Sequence, residues 1–551
     1  MDGADRVFPP KAAIPADSNE PLSGTEAVGA AANASANASA GDGDGEAAQA
    51  PAEERSYGQI LKSSALIGGS SVLTIAIGIV RAKAMAMLLG PAGFGLMGVY
   101  GSIADLARSV AEMGINSSGV RQIAEAVGSG DEARIAMTVV VLRRTAVVLG
   151  LIGLTLLVAL AVPVSTVTFG SDAKAGAVAL LGFVVCLQLI SAGQGALLQG
   201  MRRITDMAKM GVLGPLLGTA VGIALVYTLG EEGVVPALMA NAAAGLVFSW
   251  WYSRKVKVAL PTLTRPEVAR EASALLKLGF AFMASGMLMM GAAYAVRTIV
   301  LRTEGLDAAG LYSAAWTLGG LYVGIILQAM GADFYPRLVG AANDDVKGNR
   351  LVNEQAQISL LLAAPGVIAT IVFAPLVLHL FYSPQFAEAI EVLRWICLGI
   401  ALRVITWPMG FIIVAKNRRL IFIVAEVAWT AVNVALTWLA VQRFGLAGAG
   451  IAFFASYVFH GVMIYTIVRK LSGFRWFPEN IKTGLIFLAS IGFSFCGFYM
   501  FSPLQATVCG VLIVLCSGAY TLLTLVKLMP SERAPERIRH VIQVCRQLYK
   551  S

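Results

Sequence analysis

Apolar residues run in long blocks along most of this chain, broken by short links rich in glycine, proline and charge. After Ser56, fourteen blocks are long enough to cross about 30 Å of hydrocarbon as helices. They lie near 60–89, 94–118, 138–163, 174–198, 207–229, 233–253, 275–301, 309–336, 356–381, 387–414, 420–441, 446–468, 482–501 and 504–527. The pattern predicts an all-α polytopic membrane protein with about fourteen transmembrane helices. The first 55 residues are built differently. They are rich in Ala, Gly, Ser and Asn and too poor in apolar residues to form a core, so a disordered tail is expected there.

The links alternate in charge. One set carries Arg202, Arg203, Lys209, Arg254, Lys255, Lys257, Lys347, Arg350, "AKNRR" at 415–419, Arg469, Lys470 and Arg475; the other, such as "GPAG", "GEEG" and "QRFG", carries little positive charge. Basic links stay on the cytoplasmic side, so both termini are expected in the cytoplasm of an inner-membrane protein.

A repeat underlies the alternation. Gly90 and Gly95-Leu96 are answered by Gly305 and Gly310-Leu311, 215 residues on; Arg254-Lys255 by Arg469-Lys470; Arg202-Arg203 by Arg418-Arg419; and Arg81 by Arg297, 216 on. The expected plan is two pseudo-symmetric six-helix lobes, 56–258 and 259–471, around a central cavity. Two further helices follow at 472–528, then a basic tail at 529–551. Six-helix repeats share one orientation, so their pseudo-twofold runs along the membrane normal, as in transporters whose halves rock. The tail, with Ile538, Val541, Ile542 and Val544 on one face, reads equally as an amphipathic helix on the inner leaflet or as a solvated end.

Composition agrees with this plan. Of 551 residues, 57% are hydrophobic and 14% charged, against about 25% charged in ordinary soluble domains. The net charge of +9 conceals an acidic first 55 residues and a basic remainder. That excess lies in the links, which makes nucleic acid an unexpected partner. Six cysteines without a CxxC and three scattered histidines give neither a disulfide framework nor a metal site. No nucleophile–base arrangement or phosphate-binding loop occurs, so neither enzyme chemistry nor a cofactor is expected.

Candidate functional residues are the charges placed inside apolar blocks. Arg81 lies nine residues before Gly90 and continues a polar stripe of Ser70, Thr74 and Gly78. Lys83, about 200° around the same helix, cannot share its narrow face. Arg81 suits a wet cavity and Lys83 can snorkel, while either could instead partner a carboxylate of the second helix. There Asp105, Arg108 and Glu112 form one stripe; Asp105 reads either as a proton-sensitive group or as an internal partner of Arg108. Arg108, Arg297 with Tyr294 near it, and Arg403 are further candidates for the substrate-binding cavity, whereas Arg302 is expected at the outward interface. Arg394 is expected to pair with Glu391. Glu426 and Asp333 are candidates for ion coupling, with a local hydrogen bond and an interface pair to Arg337 as the plainer alternatives. His460 is expected as a packed neutral side chain.

The stretches "LGPAGFGLMGVYG", "LRWICLGIALRVITWPMGFIIVAKNRRLIFIVAEV" and "FGLAGAGIAFFASYVFH" resemble bacterial polysaccharide and O-antigen flippases. These are related to the lipid III flippase within the superfamily that holds multidrug extruders, and the resemblance covers roughly 56–470. It implies translocation of an undecaprenyl-diphosphate-linked oligosaccharide by alternating access, in some members driven by an ion gradient, alongside other polysaccharide-assembly proteins. It also implies a cavity role for Lys83, near whose position a lysine occurs in the lipid III flippase. Paired arginines, Arg81 and Arg297, would then suit a diphosphate. The sequence departs from the family pattern in the tenth helix. There Trp395-Ile396 and Gly399-Ile400 replace Trp-Gln and Gly-Asp, which puts any role of that polar pair in doubt. The alternatives are a multidrug or cation antiporter of the same superfamily and a membrane glycan polymerase or ligase. Short outward links argue against the last.

Overall fold

The computed structural model describes residues 50–256 and 264–528. The expectations for the first 49 residues and for the tail from 529 lie outside the described residues. Fifteen α-helices and two short 3-10 turns make up the described chain, and no strand occurs among the described residues. Helix α1 (Ala50–Glu112) and helix α8 (Arg265–Val339) are each two helices joined at a sharp kink. The kinks fall at Gly90 (φ 64, ψ −172) and Gly305 (φ 91, ψ −177). That backbone region is open essentially to glycine alone, which explains why both kinks fall on this residue.

Eleven stretches are long and apolar enough to cross a membrane among the described residues. Three of them, of 43 to 50 residues, hold two crossings each at about 1.5 Å per residue, which gives fourteen. Large apolar side chains such as Val72, Met87, Leu420 and Leu504 are more than half exposed on the outer wall, as hydrocarbon contact requires.

The backbone repeats itself. Arg202 and Asn417, 215 residues apart, share a left-handed φ of 54. Arg203 (φ −80, ψ 63) matches Arg418 (φ −86, ψ 63), and Gly230 (φ 59, ψ −133) matches Gly445 (φ 58, ψ −144). The first half runs from α1 through α7 (Val234–Ser253), with α2 (Ile115–Ser129), α3 (Glu132–Ala159), α4 (Ala161–Phe169), α5 (Ala175–Gly200) and α6 (Ile204–Leu229) between. The second runs from α8 through α13 (Ala447–Ser472), with α9 (Asp345–Val372), α10 (Ala374–Phe381), α11 (Ala389–Ala415) and α12 (Arg419–Phe444) between. The halves meet chiefly where α1 faces α8.

This register corrects two pairings expected from the sequence: Arg202-Arg203 answers to Asn417-Arg418, not to Arg418-Arg419, and Arg81 does not answer to Arg297. At an offset of 215, fixed by Gly90 and Gly305, Arg81 answers to Val296 and Arg297 to Ala82. One position is about 100° of helix, so the two arginines occupy different faces of equivalent helices.

Helices α14 (Pro478–Met500) and α15 (Pro503–Leu528) pack on α9. Buried Asn353 fastens their entry. Its Nδ2 donates to the carbonyls of Asn349 and Arg475 at 2.9 and 3.1 Å, and its Oδ1 accepts from Phe477 N and Asn480 Nδ2. Removing it leaves buried groups unpaired at about 1–3 kcal/mol each. Asn353→Ala is therefore expected to lower the thermal midpoint of the purified protein by several degrees, and an unchanged midpoint would contradict this role. Arg394 does not pair with Glu391. Its Nε donates to the Ile371 carbonyl at 3.2 Å and its guanidinium lies 3.5 Å from the Phe498 ring centroid, while Glu391 accepts from Tyr499.

Candidate functional site: a cationic, aromatic cavity beneath a closed end

The two kinks lie at one end of the molecule, and there the halves touch. A Cβ on Gly95 would overlap the Leu306 carbonyl oxygen and Gly310 N; one on Gly310 would overlap the Pro91 carbonyl. These glycines are equivalents in the repeat, so the backbones of α1 and α8 meet at matching positions. Phe94 of the first half packs edge-on against Tyr382 and Phe386 of the second, at 5.3 and 5.7 Å between ring centres.

Two cations close this end from opposite sides. Lys83 Nζ donates to the Leu380 carbonyl at 2.6 Å, at the C-terminus of α10. Arg302 donates to the Thr166 carbonyl at 3.2 Å, at the C-terminus of α4. Helix C-termini carry unpaired carbonyls and partial negative charge, so each half offers a cation to the equivalent short helix of the other. Tyr294 adds a 2.7 Å hydrogen bond to Thr168. Lys83 and Tyr294 are thus engaged at the interface between halves.

Beneath the closed end lies a cavity of about 430 Å³ lined by α8, α11, α12 and α13. It runs from Tyr312, seven residues past Gly305, down to Phe422, three residues past Arg419 at the basic end. Arg297, Arg403, Glu426 and His460 line it. Glu426 and His460 lie within electrostatic range of Arg403, and Asp105 on α1 within range of both Arg108 and Arg297. Arg297 Nε, Trp429 Nε1 and His460 Nδ1 are buried without a hydrogen-bond partner among the described residues.

The other candidates sit apart. Arg81 is half-buried, does not line this cavity, and makes no hydrogen bond or ion pair among the described residues. Arg108 pairs with Glu112 at 3.3 Å, while Asp105 is exposed. Arg337 donates to Asp333 at 3.0 Å, and both are exposed. Among the described residues no cluster of three His, Cys, Asp or Glu side chains is arranged to hold a metal ion.

Sequence reasoning missed the aromatic lining, above all Trp316, Trp407 and Trp429. Single aromatic residues in apolar blocks look like ordinary packing. A comparison of the two repeats would have exposed them, because the first half carries Gly101, Ala192 and Gly214 at the equivalent positions.

A fourteen-crossing bundle of two repeats, with a charged cavity inside the second, is the fold shared by solved multidrug transporters and a lipid flippase. A multidrug resistance MATE family transporter of the MOP superfamily, solved facing inward, is similar over 72% of this chain and 95% of its own (TM-score 0.56, 19% identity). The lipid II flippase MurJ in an inward closed conformation is similar over 85% and 100% (TM-score 0.59, 13% identity). The chain belongs to the polysaccharide biosynthesis protein family, whose model matches residues 84–391. Among curated proteins, the lipid III flippase of Escherichia coli (strain K12) is 24% identical over 416 residues, 72% of this chain and 95% of that protein; that of Shigella flexneri matches equally.

Proposed function

We propose that this protein flips an undecaprenyl-diphosphate-linked oligosaccharide, an O-antigen or exopolysaccharide repeat unit, across the bacterial inner membrane by alternating access. The observation carrying this reading is the unpartnered Arg297 guanidinium nitrogen in a cavity shared with Arg403. A guanidinium presents paired donors that match phosphate oxygens, and two of them compensate a diphosphate charge that hydrocarbon would exclude. Lipid-linked substrates named for the similar flippases support it.

The basic links mark the cytoplasmic end by the positive-inside rule, which makes the closed kink end the outward one. The diphosphate enters from the cytoplasmic side and meets Arg297 and Arg403. The glycan fills the polar space and the lipid tail stays in the bilayer. The halves then rock, the clasps at Lys83 and Arg302 part, and unpartnered Arg81 receives the diphosphate from the first half. No covalent bond changes. Depleting the protein in its native cells should halt glycan export and accumulate lipid-linked oligosaccharide on the cytoplasmic side; unaffected export would refute the reading.

Asp105 and Glu426 each lie near a cavity arginine, which suits them to ion coupling. Protonation of either carboxyl removes its attraction for that arginine and frees the cation for phosphate. Asp333, already paired with Arg337 at the surface, fits this role less well. Asp105→Asn and Glu426→Gln are expected to bind substrate yet lose acceleration by an imposed proton gradient. A gradient response equal to the wild type in both variants would remove them from the coupling path.

The rival reading is a multidrug antiporter, favoured by the MATE likeness and by Glu426 as a carboxylate for a cation. It predicts ethidium efflux.

A further inference from the structure

Resting on the flippase reading, we infer that the second half alone recognises the sugar, through a wall of contacting aromatic rings, mostly edge to face, that the first half lacks. The wall is continuous. Tyr312 stacks on Trp316 at 6.1 Å, Trp316 meets Phe453 at 5.1 Å, Phe453 meets Tyr457 at 4.9 Å, and Tyr457 meets Trp429 at 5.4 Å. All five rings line the cavity. They are contributed by α8, α12 and α13, so the wall exists only when these helices pack.

The repeat shows that this surface is an addition rather than a requirement of the fold. At the 215-residue offset, Trp316, Trp429, Tyr457 and His460 answer to Gly101, Gly214, Ala242 and Gly245, and Glu426 answers to Gly211. The same helical framework stands in the first half with small residues at these places. What the aromatic and charged residues add is chemistry facing the cavity.

That chemistry suits a pyranose ring. The negative face of an aromatic ring attracts the partially positive C–H face of a sugar, and rigid rings lose little entropy on contact. A sugar also brings hydroxyl groups, which donate and accept. The unpartnered Trp429 Nε1 and His460 Nδ1, with Glu426 lining the same cavity, provide complements. A lipid tail would leave all of these unpaired, at about 1–3 kcal/mol for each buried neutral group. Arg297 stands on the α8 side, where it meets the diphosphate joined to the first sugar.

The test compares two probes on the protein in nanodiscs. One is the lipid-linked oligosaccharide that accumulates in cells depleted of this chain, and the other is undecaprenyl diphosphate without sugar. The wild type should bind the first about tenfold more tightly, the scale of one well-packed aromatic contact. Trp429→Ala should erase most of that preference and leave binding of the bare diphosphate unchanged, while Trp429→Phe, which keeps a ring, should retain it. Equal affinity for both probes in the wild type would overturn the sugar wall and leave the flippase reading standing. Equal weakening of both probes by Trp429→Ala would also overturn it, by exposing a merely structural role. Failure of either probe to bind, with ethidium bound instead, would overturn both readings.

Discussion

Arg297→Ala is expected to reduce flipping by about a hundredfold at unchanged protein level. Truncating one partner of a buried, hydrogen-bonded charge pair costs about 2–5 kcal/mol, and each 1.4 kcal/mol is a factor of ten. The Arg297 side chain lines the cavity with its Nε unsatisfied, and on the proposed reading a bound diphosphate would supply its missing acceptor. Arg297→Lys should recover part of the loss, because an ammonium keeps the charge without the paired donors. Arg81→Ala should behave differently. It lies outside the cavity and one helical position off the register of Arg297, so substrate binding should persist while turnover slows. Equilibrium binding and flipping rate, measured on the same preparations, separate the two. Wild-type flipping by Arg297→Ala would remove this residue from the transport path.

Gly310→Ala is expected to hold the kink end open. A methyl group at this position would overlap the Pro91 carbonyl of the opposite half. The obstructing atom belongs to backbone, which cannot rotate away. Overpacking of this kind costs about 1–3 kcal/mol, and 3 kcal/mol against one of two states shifts their ratio by about a hundredfold. Lys83→Ala and Arg302→Ala each remove one charge-assisted hydrogen bond between halves, about 1 kcal/mol at these exposed positions. Together they should move the equilibrium the same way but less far. Spin labels at Asp172 and Glu388, exposed on opposite halves near the kink end, report the separation. A longer distance in Gly310→Ala, with a smaller shift in the double variant, is the expected series. Unchanged distances in all three proteins would show that closure at this end does not depend on these contacts.

The sequence carried the architecture because hydrocarbon imposes a simple code. A crossing needs a long apolar block, and the glycines at 90 and 305 punctuate these blocks where the backbone reverses. The repeat was legible for the same reason, since Gly95 and Gly310 are needed at matching points where the backbones meet. A register ambiguity of one residue was not resolved by the charged pairs. Arg81 and Arg297 looked equivalent at an offset of 216, and only the backbone kinks fix it at 215. Lys83 and Arg302 were harder still. Their acceptors are backbone carbonyls 297 and 136 residues away, and a carbonyl leaves no mark in a sequence. Arg394 misled for a related reason. A carboxylate three residues away suggested a pair, but α14 and α9 offered an aromatic face and a carbonyl instead.

The most direct test of lipid-linked glycan flipping is transport in proteoliposomes that contain this protein and the oligosaccharide lipid from depleted cells. Exposure of the glycan on the far leaflet is followed with a membrane-impermeant lectin, with and without an imposed proton gradient. Flipping by the wild type, lost in Arg297→Ala, is the predicted result. No flipping by the wild type under either condition, with ethidium transported by the same vesicles, would contradict it.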